Sequence, residues 1–413
     1  MRFQFKSTKI SRFNDPLVRS SIILTVNRGL NAFCGFIFWI IAAKFYSINE
    51  VGLATAFISA LNLVLLISRF GFDTALIRFL PIDKKDDVYS TSINITVFAS
   101  CLISLLFLLG IHFFSKKMDL ILNIELALVF VIIGIVNSLA FMTGITFIAF
   151  RQSEKYLLQN IFLSSRVIFL FLFSFLGVYG LIVSIGTAYL IASIISIIII
   201  GRSIEYSFKI NKPFIKKNLN YSLDSYLSNL FTAIPALIMP IMVLNILSES
   251  DAAKFFIAFS ISNLILIIPD TLSTSIFVEG SHGRNLRKNV YRAGAMILIF
   301  MVPAIIIIIV FGEMVLGFMG ENYVESISLL RLLALSSLFS TIYMLFSPIQ
   351  RVRLNTRNLA KVNLLGAILL IGLSYIFIIM YGVIGIAYAW ICAYSILDIV
   401  IIMQFEKEGW IKI

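Results

Sequence analysis

Charge is scarce in this chain: 13% of its 413 residues are Asp, Glu, Lys or Arg, against 60% hydrophobic. A soluble protein carries about a quarter charged and roughly 45–50% apolar residues, so no soluble core could hide this much Ile, Leu and Phe. Cysteine and histidine are also scarce. Cys34, Cys101 and Cys392 sit inside apolar runs, with no disulfide framework and no zinc spacing, and read as small packing residues. His112 and His282 stand far apart, so no metal site is expected. A Walker lysine, a glycine-rich phosphate loop beside a strand, a nucleophile elbow and an HExxH motif are all missing. ATP hydrolysis and soluble-type catalysis drop out. No cofactor is implied and the chain is not expected to be an enzyme, since every loop is too short for a membrane-attached catalytic domain.

What is present is a series of apolar runs near 20 residues long, enough at 1.5 Å per residue to cross roughly 30 Å of hydrocarbon. Twelve spans are expected: 20–43, 51–72, 91–113, 124–148, 160–179, 181–200, 221–247, 252–278, 293–312, 327–347, 362–381 and 383–403. Tight reversals at Gly177–Gly180 and Tyr381–Gly385 divide runs that would otherwise be too long. Helices are expected because lipid leaves backbone polar groups unsatisfied, and no alternating barrel pattern occurs. The basic N-terminus precedes a run too long for a signal peptide and without a small-residue exit, so it is read as the first span.

The lysines and arginines test this map. Of 33, Lys44, Lys116, Lys117 and Lys254 fall in loops on one side, and Arg28, Arg166 and Arg331 fall inside spans. All the rest fall in loops on the other side, which marks it as cytoplasmic and places both termini there. An error of one span would invert every later loop. The net charge of +12 then reflects basic loops facing anionic head groups, with no need for nucleic acid.

The sequence also repeats itself. Ser59-x-x-Asn62-Leu63-x-Leu65-x-Ile67 returns as Ser260-x-x-Asn263-Leu264-x-Leu266-x-Ile268, and spans 1 and 2 begin the same distance before spans 7 and 8. The expected organisation is an N-terminal six-helix lobe (1–200), a cytoplasmic linker (201–220) and a C-terminal six-helix lobe (221–413). Six helices per half give both halves one orientation, related by an axis along the membrane normal, with a cleft between two lobes.

A charge in mid-bilayer costs roughly 2.5–3.5 kcal/mol on insertion scales and needs a reason. Arg28 lies about eight residues, roughly 12 Å, into span 1, on a stripe with Asn27, Asn31 and Gly35. Span 2 carries Thr55, Ser59, Asn62, Arg69 and Asp73; span 7 carries Ser222, Ser225, Asn229 and Thr232; span 8 carries Asn263, Asp270 and Thr274 beside Pro269. These faces suit a hydrated cleft, and they suit equally well a set of polar contacts that glue helices together. Arg69 and Asp73 have the spacing of an intrahelical ion pair. Arg166, Arg331 and Asp398 lie near span ends, within snorkelling reach of the interface. Arg28 and Asp270 are both deep, at similar depth, and can serve either a substrate or each other.

FYSINEVGLATAFISALNLVLLISRFGFDTALIRFLP (Phe45–Pro81) resembles the second-span region of polysaccharide flippases of the MOP superfamily, the Wzx-type O-antigen and oligosaccharide transporters. Asn218–Leu230, Ala252–Leu272 and Phe311–Ser336 resemble later stretches of the same family, in the same order. The resemblance implies two six-helix lobes around a V-shaped central cleft that opens alternately to each side of the cell membrane. It also implies a substrate built of a short oligosaccharide on a polyprenyl phosphate or pyrophosphate, with glycosyltransferases and a polymerase as neighbouring partners. On the polar stripes, Arg28 is expected to meet phosphate and Asn31, Asn62, Asn229 and Asn263 to meet sugar, with Asp270 in the same lining. A MATE-type antiporter of the same superfamily is the competing reading. Such antiporters carry acids within the lobes, where span 1 here carries Arg28, although Asp270 keeps the option open. Lipid II flippases usually have fourteen spans, and the Gly-x-x-x-Asp-Arg loop of major-facilitator porters is replaced here by PIDKKDD.

This map makes a labelling prediction. With the native cysteines removed, single cysteines at 116 and 250 should react with an impermeant maleimide in intact cells, and those at 86, 216 and 285 should not. Labelling at 216 would break the map.

Overall fold

The computed structural model describes residues 16–114, 117–118, 123–281 and 286–410. Arg2, Lys6, Lys9, Arg12, Lys116, His282, Arg284, Asn285 and Lys412, which entered the topology argument or the search for metal ligands, lie outside the described residues. In chain order the helices are α1 (Pro16–Phe45), α2 (Ile48–Ser68), α3 (Phe72–Phe79), α4 (Lys85–Phe114) and α5 (Ile124–Ala149). They continue as α6 (Ser153–Ser164), α7 (Arg166–Leu172), α8 (Val178–Ile200), α9 (Lys212–Ile246) and α10 (Glu249–Ser281). The last are α11 (Leu286–Met319), α12 (Glu321–Val324), α13 (Ile327–Val352), α14 (Thr356–Tyr381) and α15 (Ile384–Lys407). Among the described residues there is no strand, and 12 helical stretches are long and apolar enough to cross a membrane. The all-helical, twelve-span expectation is met; α6 and α7 together make one span.

Several span boundaries differ from the sequence reading, α11 among them at Leu286–Met319 against 293–312, and three differ for a local reason. The second span was expected to continue to residue 72, but α2 stops at Ser68, and Phe70 and Gly71 take positive φ (44° and 77°) before α3 begins. Unbroken apolar periodicity concealed that turn. The Arg69–Asp73 ion pair forms as expected, at 3.2 Å, yet it bridges the turn and α3 instead of lying within one helix. The fifth span begins at Ser153, earlier than expected, and is broken at Ser165, whose hydroxyl donates back to the Phe162 carbonyl at 2.6 Å. The tenth span was expected to stop before Pro348, but α13 runs through it to Val352. A proline in a membrane helix is tolerated where neighbouring groups re-satisfy the carbonyl it strands.

The described chain forms two compact units. One comprises Met1–Ile41, Ser68–Leu106 and Ile124–Ser222; the other comprises Ala42–Ile67, Phe107–Asn123 and Leu223–Ile413. In the first, α3 turns a buried face of Phe72, Ala75, Leu76 and Phe79 into a core with Tyr89, Met142 and Phe147. Phe79 meets Phe214 edge-on, with ring centroids 6.0 Å apart. The stretch read as a linker is pinned to α4. The Ser207 amide donates to Ser90 Oγ (3.0 Å), the Asn211 amide to Thr91 Oγ1 (2.9 Å) and the Glu205 amide to Asp86 Oδ1 (2.9 Å). Lys217 pairs with Asp83 at 2.6 Å. Backbone outside a helix needs partners, and the first two turns of α4 supply them from Asp86, Ser90 and Thr91.

In the second unit α10 packs on α11 and α13, while α15 packs on α13 and α14. Ile297, Met301 and Ile305 of α11 meet Ile265 and Ala334, while Phe346 and Phe405 anchor a second cluster nearer the chain end. The far face of α11 leaves Ile299, Phe300, Ile306, Phe311 and Phe318 exposed, as a lipid-facing helix should.

The internal repeat extends to the helix caps. Ser47 accepts from the Glu50 amide (3.3 Å) and donates to the Glu50 carboxylate (2.8 Å), a capping box that opens α2. Ser248 and Asp251, at the same offset as Asn62 and Asn263, do the same for α10, at 3.0 and 2.6 Å. The two helix starts touch: a Cβ on Gly52 would lie 1.8 Å from the Glu249 carbonyl oxygen. Lys254, one turn into α10, bonds Glu325 and holds that carboxyl below its ordinary range through the hydrogen bond and the opposite charge.

The final reversal depends on glycine twice. Gly382 takes φ 64°, and a Cβ on Gly385 would meet the Phe377 carbonyl oxygen at 2.0 Å. Gly385→Ala should therefore cost about 1–3 kcal/mol and lower the thermal midpoint of the purified protein. Gly372→Ala, with nothing within 4 Å of its Cβ, should leave the midpoint unchanged or raise it slightly. Fluorescence-detected size exclusion after heating distinguishes the two.

Candidate functional site

A cavity of about 320 Å³ opens among α9, α10 and α13 within the second unit. Each helix presents one polar stripe to it. Asn229 and Thr232 come from α9, and Asp270, Ser273 and Thr274 from α10; α13 contributes Tyr343, Ser347 and Arg351. On α10 the spacing of 270, 273, 274 and 277 keeps these residues on one helical face. The Arg351 guanidinium donates to Asn229 Oδ1 at 3.3 Å, tying α13 to α9 across the opening. Pro348 and Met344 line the same wall. Because Pro348 has no N–H, the Met344 carbonyl lacks its usual helical donor, which leaves an extra acceptor at the cavity edge.

Behind the cavity lies a closed hydrogen-bond cluster centred on Asn363 of α14, which is buried. Its amide donates to the Ser228 carbonyl (3.0 Å), Ser228 Oγ (2.8 Å) and Thr232 Oγ1 (2.9 Å). Its Oδ1 accepts from the Tyr343 hydroxyl at 2.9 Å. Tyr343 Oη also lies 3.2 Å from Thr232 Oγ1. Every polar atom of the Asn363 side chain is used, so the cluster holds Thr232 and Tyr343 in fixed positions as the cavity floor. A small pocket of about 30 Å³ adjoins it beside Tyr394 and Leu397.

Of the six site residues expected from sequence, Asn229 and Asp270 share this cavity. Asn263 lies two turns along α10 from Asp270 and is half-buried; Asn62 is half-buried on α2 of the same unit. Arg28 and Asn31 belong to the other unit. Arg28 is exposed on α1, whereas Asn31 donates to Asn160 Oδ1 of α6 at 3.0 Å and so joins two helices. Asn27, beside Arg28, is buried.

The flanking charges make contacts of their own. Arg166 lies 5.6 Å from the Phe38 ring centroid, against Gly35 of α1. Arg331 bonds the Ile309 carbonyl of α11 at 3.1 Å. Asp398 is buried in α15, with Oδ1 lacking a hydrogen-bond partner among the described residues. Arg351, by contrast, was counted with the loops, and the structure places it in the cavity. The signal available in sequence was its position one turn beyond Ser347, had the helix been carried through Pro348. Asn363 carried no such signal, because its role depends on which helices surround it.

The sequence profile of the family described as "Polysaccharide biosynthesis protein" matches residues 17–277. An uncharacterised membrane protein of Methanocaldococcus jannaschii is 22% identical over 398 residues, covering 89% of this chain and 93% of the relative. Among solved structures, an inward-facing multidrug resistance MATE family transporter of the MOP superfamily superposes with a TM-score of 0.75 at 15% identity, covering 94% of this chain and 98% of that one. The lipid II flippase MurJ, in an inward closed conformation, superposes with a TM-score of 0.74 at 19% identity, covering 94% and 87%. The fold is thus that of MOP superfamily transporters, and the chain, a multi-pass membrane protein, belongs to the polysaccharide biosynthesis protein family.

Proposed function

We propose that this protein moves polyprenyl phosphate- or pyrophosphate-linked oligosaccharide repeat units from the cytoplasmic to the outer leaflet of the cell (inner or cytoplasmic) membrane by alternating access. It would thereby feed surface polysaccharide or glycan assembly. The observation that carries this reading is the α9–α10–α13 cavity, which combines the Arg351 guanidinium and the Asp270 carboxylate with the Asn229 amide and several hydroxyls on helices long and apolar enough to cross a membrane. Sugar hydroxyls need donors and acceptors at once, which Asn229, Ser273, Thr274 and Ser347 provide. A phosphate needs a cation with fork geometry, which Arg351 provides in this cavity; Arg28, on α1 of the first unit, is a separate candidate for phosphate. The hydrocarbon tail can stay in the bilayer. Residues 1–200 and 221–413 would act as the two lobes, joined by 201–220, with both termini cytoplasmic. Glycosyltransferases that build the repeat unit and a polymerase that consumes it are the expected partners.

Loss of the protein should strand lipid-linked oligosaccharide on the cytoplasmic leaflet and deplete surface glycan. Both can be quantified in a deletion strain that lacks a redundant transporter, and unchanged surface glycan would sink the flippase reading. A MATE-type cation-coupled antiporter remains the second reading, favoured by the carboxylate of Asp270 in the cavity. Heightened sensitivity to cationic dyes, with glycan intact, would select it.

At the residue level, Arg351→Gln should lower translocation about tenfold or more while the protein stays abundant, and Arg351→Lys should keep part of the activity. Arg28→Gln should likewise silence transport without loss of protein. If Arg28 served instead as the structural partner of Asp270, Arg28→Gln would reduce abundance, and adding Asp270→Asn would restore both abundance and transport. Immunoblots alongside extracted lipid-linked sugar distinguish these outcomes.

A further inference from the structure

The opposite face of α10 borders a second cavity, of about 270 Å³, between α10 and α11. Among the described residues it shares no lining residue with the first. Leu272, Ser275 and Ile276 line it from α10; Asn289, Arg292 and Met296 face them from α11, with Ala293 between. The spacing 289, 292, 293, 296 keeps the α11 residues on one helical face. Its chemistry is one-sided. Arg292, Asn289 and Ser275 can all donate hydrogen bonds, and among the described residues no acidic side chain lines the cavity. Asn289 Nδ2 is buried and has no hydrogen-bond partner among the described residues, and a buried donor left unmade costs about 1–3 kcal/mol. The remaining wall is apolar, with Ile276 and Ala293 buried. A cavity with donors at one end and hydrocarbon at the other matches an anionic head attached to an apolar stem.

Its position agrees. Arg292 lies six residues beyond the start of α11, about 9 Å along the axis, in a helix whose first residues include Arg287 and Lys288. On the charge distribution of the loops this is the cytoplasmic side, where anionic lipids concentrate.

We propose that the α10–α11 crevice is a binding site for the phosphate of a membrane lipid, separate from the α9–α10–α13 cavity. Arg292 and Asn289 hold the phosphate oxygens, Ser275 donates to an ester oxygen, and the first acyl carbons lie along Leu272, Ile276 and Met296. The site stands apart from the transport reading and survives if that reading fails.

The test uses the full chain, purified and delipidated in neutral detergent, with lipid retention followed by native mass spectrometry and stability by thermal shift. Phosphatidylglycerol should be retained and should raise the midpoint, whereas dioleoylglycerol, which lacks the phosphate, should do neither. The double variant Arg292→Gln/Asn289→Leu should weaken phosphatidylglycerol retention about tenfold or more. Lys361→Gln, which removes a charge on α14, should not. Ser275→Leu reaches the crevice from α10 and leaves α11 intact, so it should weaken retention even if the double variant folds poorly. If inorganic phosphate alone stabilises the wild type as much as the lipid, and the double variant loses that effect, the anion site stands and its ligand is soluble phosphate. Retention of phosphatidylglycerol at the wild-type level by both the double variant and Ser275→Leu would overturn the proposal, as would equal retention of dioleoylglycerol.

Discussion

Inside a bilayer no water is present to accept or donate a hydrogen bond, so each backbone N–H and C=O must find its partner within the protein. The whole architecture follows from that requirement. It makes every crossing a helix, and it makes the places where helices end expensive unless side chains intervene. Ser47 with Glu50 and Ser248 with Asp251 close the exposed starts of α2 and α10. Lys117 reaches the Leu247 carbonyl at the end of α9, where the helix dipole also favours a cation. The irregular stretch before α9 borrows partners from Asp86, Ser90 and Thr91 of α4. What would be a free linker in a soluble protein is here laid along a helix.

The same requirement sorts the polar side chains into two kinds. Asn363 and Asn31 spend their amides on neighbouring helices and hold the packing together. Asn229, Asp270 and Arg351 face a cavity, where a ligand or water can compete for them. Prolines collect beside this second kind: Pro269 precedes Asp270, and Pro348 lies three residues before Arg351. Pro348 frees the Met344 carbonyl, which is tolerable where a polar cavity lies alongside.

Proteins named for multidrug resistance and for lipid II share this fold at 15% and 19% identity. A fold common to such different cargoes leaves selectivity to the lining, and function has to be argued from the lining. In this chain the lining of the second-unit cavity is mostly neutral hydrogen-bonding groups with one acid and one base. That composition offers hydrogen-bond donors and acceptors together with one charge of each sign.

Hydropathy and charge placement alone determined that the chain is helical and crosses the membrane about twelve times, because these are properties of each segment against its solvent. The repeat of Asn62 at Asn263 likewise pointed to α2 and α10 as counterparts, and their capping boxes keep the same offset. Asn229 and Asp270 were legible as cavity residues because each lies on a polar stripe of its own helix. Arg351 was not, since Pro348 reads as a stop until the surrounding helices show that α13 continues through it. Nor could the sequence separate Asn31 from Asn229. Both stand on polar stripes and both join helices, and only the arrival of Asn160 beside the first, and of a cavity beside the second, decides which lines an open space. A stripe is local, whereas a partner comes from a segment more than a hundred residues away, and its position is set by the packing of the whole unit.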